Sequence, residues 1–129
     1  MTQRDAVIFA LTGFVVWLVG AVMFRFGGHL LFESGSWVLL AASLGTAVSV
    51  CLLLNVTMAW RKAPAANAVL VAVVMALPGL FGDAAYSLAF HAITGLDQAA
   101  AGAFAALVIF GNAALLAFAI VKSGALNAA

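Results

Sequence analysis

The sequence predicts an all-α membrane protein: an antiparallel bundle of four transmembrane helices with both termini in the cytoplasm. Hydrophobic residues make up 67% of the 129 residues and charged residues only 7%, whereas soluble domains carry about 25% charged residues. Four apolar stretches are each long enough to cross a hydrocarbon core, which takes about 20 helical residues. Because only short connections separate these stretches, successive helices are expected to pack side by side in opposite directions.

The first predicted span covers residues 6–24. Directly before it, Thr2 and Asp5 have the spacing of a capping box, with an acid three residues after a threonine. Arg25 is expected to end the span. The segment that follows, residues 29–33, is too short to cross the membrane and is expected to lie at its interface. One face of the span is suited to close approach by another helix and consists of Gly13, Trp17, Gly20 and Phe24.

The second predicted span covers residues 37–60 and is framed by tryptophans. Trp37 opens it and Trp60 closes it, an arrangement typical of side chains that anchor a helix at the two membrane surfaces. The basic pair Arg61-Lys62 follows directly. Tryptophan and positive charge together therefore mark the end of this span.

The third and fourth predicted spans cover residues 68–90 and 99–121. Asp97 has the spacing of a capping residue just before the fourth span. With four spans and short connections, residues 1–129 are predicted to form a single transmembrane domain.

Basic residues predict the orientation of the chain. With four spans, the amino terminus, the connection between the second and third spans, and the carboxyl tail share one side. Positive charge marks the cytoplasmic side of a membrane, so both termini are predicted to be cytoplasmic. The basic residues on that side are Arg4, Arg61, Lys62 and Lys122, against Arg25 on the other.

The stretch Leu77–Ala84 breaks the pattern of its own span, since it contains a proline, two glycines and a carboxylate. An isolated carboxylate in hydrocarbon is costly, so Asp83 is expected to have a partner. Arg25 lies on the same half of the membrane, and a guanidinium offers two parallel hydrogen bonds to a carboxylate. The sequence therefore predicts an intramembrane ion pair between Arg25 and Asp83.

Pro78 predicts a kink in the third span, because proline lacks an N–H and clashes with the preceding turn. Gly79 and Gly82 are assigned to the same kink. A kink can open a small polar cavity, or it can let the helix bend around its neighbours, and the sequence leaves both interpretations open.

A candidate polar cluster is expected on the outer side of the membrane, formed by His29, Glu33, Tyr86 and His91. These residues lack the paired spacing of a metal motif, so no metal and no other cofactor is expected. No catalytic motif is present either, and an enzyme is not expected. No extended basic run exists to follow a phosphate backbone, which argues against nucleic acid as a partner.

Two short patterns in the chain resemble a bacterial family of small four-helix integral membrane proteins that is classed only as a domain of unknown function. The first pattern is Trp17, Phe24-Arg25-Phe26, Gly28-His29 and Phe32, and the second is Leu77-Pro78-Gly79 with Asp83-Ala84. The resemblance implies that the two regions matter together, and it implies no activity. A multi-pass protein of the bacterial inner membrane is predicted.

Three functions from different classes remain open. The favoured one is a non-enzymatic structural or accessory component, held by the Arg25–Asp83 pair and packed as a homo-oligomer or as a subunit of a membrane complex. The second is a small oligomeric transporter or channel that uses Asp83 and the kink at Pro78. The third is a binder of a lipid, quinone or pigment in a groove lined by Phe81, Tyr86 and Phe90.

Overall fold

The computed structural model describes residues 1–127, and this part of the chain is helical almost throughout. The predicted all-α class is confirmed. Ala128 and Ala129, which the predicted domain includes, lie outside the described residues. A short 3-10 turn, Ala65–Asn67, precedes the third α-helix. In chain order the α-helices are α1 (Gln3–Phe32), α2 (Ser36–Trp60), α3 (Ala68–Leu88), α4 (Phe90–Thr94) and α5 (Gln98–Ser123).

Four of these helices are long and apolar enough to cross a membrane. They are α1, α2, α3 together with its preceding turn, and α5, with lengths of 30, 25, 24 and 26 residues. A hydrocarbon core about 30 Å thick requires about 20 helical residues. The architecture is therefore that of a multi-pass membrane protein.

Helix α1 is longer than the span predicted for it. It continues through Arg25 and the two glycines that follow, and it ends at Phe32 with Glu33 as its C-cap. Residues 29–32, expected in a separate interfacial segment, instead form its last turn. The glycines do not end the helix, because glycine in a helix interior costs only about 1 kcal/mol relative to alanine.

Both predicted caps are confirmed by their hydrogen bonds. Thr2 Oγ1 accepts from the Asp5 backbone N–H at 3.2 Å, and the Thr2 backbone N–H donates to Asp5 Oδ2 at 3.1 Å. At the start of α5, Asp97 Oδ1 accepts from the Ala100 backbone N–H at 2.9 Å. These bonds satisfy amides that a helix leaves unpaired in its first turn.

Helix α3 packs on two other long helices. Its contact with α1 is more extensive than its contact with α5, and α5 in turn packs extensively on α2. Helices α1 and α2 follow each other in the chain but contact each other far less. The successive spans α3 and α5 thus pack side by side as expected, whereas α1 packs mainly on α3 and not on α2, because Gly13 lets it approach the α3 backbone.

Helices α1 and α3 run in the same direction. Residue numbers rise together along the two helices from one contact to the next. In order, these contacts are Gly13 with Met75, Trp17 with Gly82, and Ala21 with Tyr86.

The buried side chains form two clusters at different heights. The first includes residues from all four long helices, such as Phe9, Leu54, Val71 and Leu115. The second contains no residue of α2, and its buried members are Tyr86, Phe90, Leu96, Ala100 and Phe104. Helix α2 therefore contributes to the first cluster and not to the second.

Candidate functional site

A cavity of about 390 Å³ lies among α1, α2, α3 and α5, and each of these helices contributes to its wall. Most of the wall is apolar, as in typical binding cavities, which measure about 300–1,000 Å³. The polar side chains that line the cavity are Trp17, Thr46, Asp83, Tyr86 and Asn112.

Helices α1 and α2 both line the cavity, and they have few contacts with each other. Val16 and Met23 of α1 line the cavity, and they are also 39% and 65% exposed. In a membrane, exposed apolar side chains at this height face lipid. We infer an opening to the lipid between α1 and α2, through which a molecule dissolved in the bilayer reaches the cavity without passing through water.

The carboxylate in the cavity is held by a tryptophan. Trp17 Nε1 donates to Asp83 Oδ1 at 3.0 Å. The indole lies against the glycines of α3, so close that a methyl group on Gly82 would be 2.3 Å from Trp17 Cε2. Gly79 and Gly82 thus form the surface on which the Trp17 indole packs, which we call its seat. The sequence indicates only a kink at these glycines and does not predict this contact.

The predicted ion pair between Arg25 and Asp83 is not formed in the structure. The Arg25 guanidinium lies over the ring of Phe26, 5.5 Å from its centroid. Trp17 is level with Asp83, and Arg25 follows eight residues later, about 12 Å farther along the helix axis. Arg25 shares the predicted half of the membrane, but it is too far along α1 to reach the carboxylate.

Tyr86, Phe24 and Phe104 form an aromatic part of the cavity wall. The Tyr86 hydroxyl donates to the backbone carbonyl of Ala21 at 3.1 Å, which ties α3 to α1. Its ring centroid lies 5.2 Å from that of Phe104, and Phe104 packs edge-to-face on Phe24 at 5.4 Å. Contacts of this kind add to the stability that burial alone provides.

The groove predicted from Phe81, Tyr86 and Phe90 is not the one that the structure contains. Only Tyr86 lines the cavity. Phe81 is 75% exposed, and Phe90 is 2% exposed within the aromatic cluster. The sequence correctly associated Tyr86 with a cavity, but it assigned the wrong neighbouring rings.

The candidate outer polar cluster is not assembled. His29, Glu33 and His91 are exposed, whereas Tyr86 is buried between α1 and α3. His91 Nδ1 donates to the backbone carbonyl of Leu96 at 2.8 Å, which orders the turn before α5. Across residues 1–127, no three His, Cys, Asp or Glu side chains are grouped so that they could hold a metal ion.

Pro78 lies inside α3, which is continuous from Ala68 to Leu88. The missing N–H removes one helical hydrogen bond without ending the helix. The kink itself stays a prediction.

At the far end of the bundle, an ion pair joins the start of α1 to the end of α2. Arg61 Nε and Nη2 both donate to Asp5 Oδ1, at 3.0 and 2.5 Å. The guanidinium also lies over the Trp60 ring, 5.7 Å from its centroid. Helices α1 and α2 are thus connected at this end. The sequence interpretation used Asp5 only as a cap and did not foresee this pair.

Four apolar helices around one intramembrane cavity define a small polytopic membrane protein. The chain belongs to the Family of unknown function (DUF5367), whose model matches residues 30–126. The resemblance noted from the sequence, to a family without an assigned activity, is confirmed. The match includes the cavity-lining residues of α2, α3 and α5 and begins after Trp17. Neither a curated protein nor a solved structure matches the chain.

Proposed function

We propose that this protein is a non-enzymatic integral membrane protein that binds a small hydrophobic molecule in the cavity between its four long helices. The observation that carries this proposal is the cavity itself, about 390 Å³ with an apolar wall and a few polar groups on it. Binding sites for small molecules combine these properties. The opening between α1 and α2 gives the bound molecule a route from the lipid.

A purely structural role is less well supported by the geometry. The sequence supports that role through an ion pair between Arg25 and Asp83 inside the bundle. Instead, Asp83 is half-buried at the cavity wall and takes its hydrogen bond from Trp17. A polar group kept at an apolar cavity is typical of a site that orients a ligand.

Binding can be measured with Trp17 as the reporter. The other two tryptophans, Trp37 and Trp60, are 83% and 68% exposed, so both can be replaced by phenylalanine with little effect on packing. The probe is 4-bromo-4′-tert-butylbiphenyl, a neutral apolar molecule whose bromine quenches indole fluorescence on contact. Binding in the cavity predicts quenching of Trp17 that saturates with probe concentration in detergent micelles.

Filling the cavity is expected to remove this saturable quenching. Gly20 lines the cavity, and a methyl group there would approach only Phe24 Cε2, at 3.9 Å, so Gly20→Phe projects a ring into open space. The apparent Kd is expected to rise at least about tenfold, or 1.4 kcal/mol.

The matched control is Gly27→Phe, on the same helix but away from the cavity, where a methyl group would meet nothing within 4 Å. It is expected to bind the probe as the parent does. Equal quenching of a folded Gly20→Phe and Gly27→Phe would contradict the proposal, as would quenching of the parent that never saturates.

We propose further that both termini face the cytoplasm of a bacterial cell, with the chain in the inner membrane. The Asp5–Arg61 pair joins the start of α1 to the end of α2, which supports a shared side for these two ends. The shared direction of α1 and α3 also supports a chain that crosses the membrane alternately. Most of the basic residues then lie on the cytoplasmic side.

The orientation predicts which positions are accessible to a thiol reagent that cannot cross membranes. In a Cys51→Ser background, which removes the chain's single cysteine, Ser34→Cys is expected to react with a charged maleimide added outside spheroplasts. Lys62→Cys is expected to react only after the membrane is permeabilised. Labelling of Lys62→Cys alone in sealed spheroplasts would reverse the proposed orientation.

A further inference from the structure

We propose that the molecule bound in this cavity is a hydrophobic cation, such as a quaternary ammonium with apolar substituents, and that Asp83 is its counter-ion. The inference rests on the proposed function of the cavity and names the chemical class of the ligand. It is carried by the charge, the hydrogen bonding and the aromatic composition of the cavity wall.

The charge of the cavity wall favours a cation. Among residues 1–127, Asp83 is the only charged side chain that lines the cavity. Neither Arg25 nor Arg61 lines the cavity, since Arg25 lies over the Phe26 ring and Arg61 pairs with Asp5. A carboxylate removed from water is costly without an opposite charge beside it. A bound cation supplies that charge.

The hydrogen bonding of the Asp83 carboxylate also favours a cation. Oδ1 of Asp83 accepts from Trp17 Nε1 at 3.0 Å, and this donor is neutral. Within the described residues, Oδ2 accepts no hydrogen bond from the protein. Trp17 therefore fixes the position of the carboxylate and leaves its second oxygen available to a positively charged ligand.

The aromatic rings of the cavity wall favour the same class of ligand. Trp17, Phe24, Tyr86 and Phe104 all line the cavity that contains Asp83. Cations are attracted to the faces of aromatic rings within about 6 Å, and groups of such rings recognise quaternary ammonium ions. The remaining wall is apolar and suits the substituents of a hydrophobic cation. A neutral ligand would leave Asp83 without a counter-charge, and an anion would be repelled by it.

Two probes of nearly equal shape separate charge from hydrophobicity. The first is the neutral 4-bromo-4′-tert-butylbiphenyl, and the second replaces its tert-butyl group by trimethylammonium. Both are titrated into the protein whose only tryptophan is Trp17, and the ratio of their two Kd values gives the preference for the cation. Comparing this ratio between variants cancels the unequal partitioning of the probes into detergent.

Asp83→Asn is the decisive variant, because asparagine keeps the shape of the side chain and can still accept from Trp17. The preference for the cation is expected to fall at least about tenfold, while the Kd of the neutral probe stays within about twofold. Asn112→Lys provides a second variant that leaves Asp83 intact. It introduces a competing ammonium into the same cavity and is expected to remove the preference for the cationic probe.

The outcomes distinguish this inference from the function on which it rests. Saturable binding of the neutral probe, with a preference for the cation that neither variant changes, would overturn the cation assignment alone. Saturable binding of neither probe would overturn the binding function as well. If Asp83→Asn does not fold, the result with Asn112→Lys decides, and an undiminished preference in that variant counts against the inference.

Discussion

Replacement of Gly13 by alanine is expected to disrupt the packing of α1 on α3. The added methyl carbon would lie 1.8 Å from the carbonyl oxygen of Met75 and 2.7 Å from its carbonyl carbon. Both atoms belong to the backbone, so no side-chain rotation can relieve the overlap and the two helices must separate. Overpacking costs about 1–3 kcal/mol and occasionally more, and we expect a loss at or above the upper end of this range.

The stability of Gly13→Ala can be measured by unfolding the protein from mild detergent with increasing fractions of sodium dodecyl sulfate. Gly20→Ala is the matched control, one residue of the same face, where the nearest atom to the new methyl carbon is 3.9 Å away. That control is expected to be as stable as the parent or slightly more so, because alanine favours helix by about 1 kcal/mol over glycine. Equal stability of the two variants would show that α1 and α3 do not approach each other so closely.

Replacement of Gly82 by alanine is expected to displace Trp17 and thereby alter the site. The new methyl carbon would lie 2.3, 2.6 and 2.8 Å from three atoms of the indole ring. The ring must leave its seat, which breaks the hydrogen bond to Asp83 Oδ1. We expect a loss of stability of about 1–3 kcal/mol from overpacking. Saturable quenching of Trp17 by the neutral biphenyl probe is expected to be lost as well.

Gly79→Ala separates this effect from a general intolerance of α3 to substitution. Its methyl carbon would lie 3.7 Å from Trp17 Cβ, an ordinary van der Waals contact. We expect near-parental stability and probe binding for this variant. Comparable damage from Gly79→Ala and Gly82→Ala would mean that the kink next to Pro78, and not the seat of the indole, makes these glycines necessary.

The sequence predicts the helices well because each depends on local information. Apolar runs and the capping residues Thr2 and Asp97 mark where the helices begin. The sequence does not predict the extension of α1 to Phe32, because Arg25 and the two glycines after it indicate the end of a span. A charged residue ends the hydrophobic stretch that crosses lipid, but it does not end the helix.

The site was predictable only in part. Asp83 stands out because it is a carboxylate in an apolar segment. The sequence places Arg25 and Asp83 in the same half of the membrane, but this does not make them partners. The axial register between α1 and α3 decides which side chain of α1 reaches the Asp83 carboxylate. The sequence predicts the face of α1 that contains Gly13 and Trp17. It does not predict that this face packs on Gly79 and Gly82, which indicate a kink instead. The cavity depends on how four helices pack together, and no local pattern encodes that.

For the binding function that we propose, the inferred opening between α1 and α2 would make the bilayer, rather than water, the reservoir from which the cavity fills. A lipophilic molecule enriched a thousandfold in the membrane arrives at a thousandfold higher local concentration, which corresponds to about 4 kcal/mol. Modest intrinsic affinity then suffices for high occupancy. Hydrophobicity alone cannot select among membrane-soluble molecules, because all of them share this enrichment. Selection among these molecules then depends on the few polar atoms of the cavity wall, above all Asp83 Oδ2.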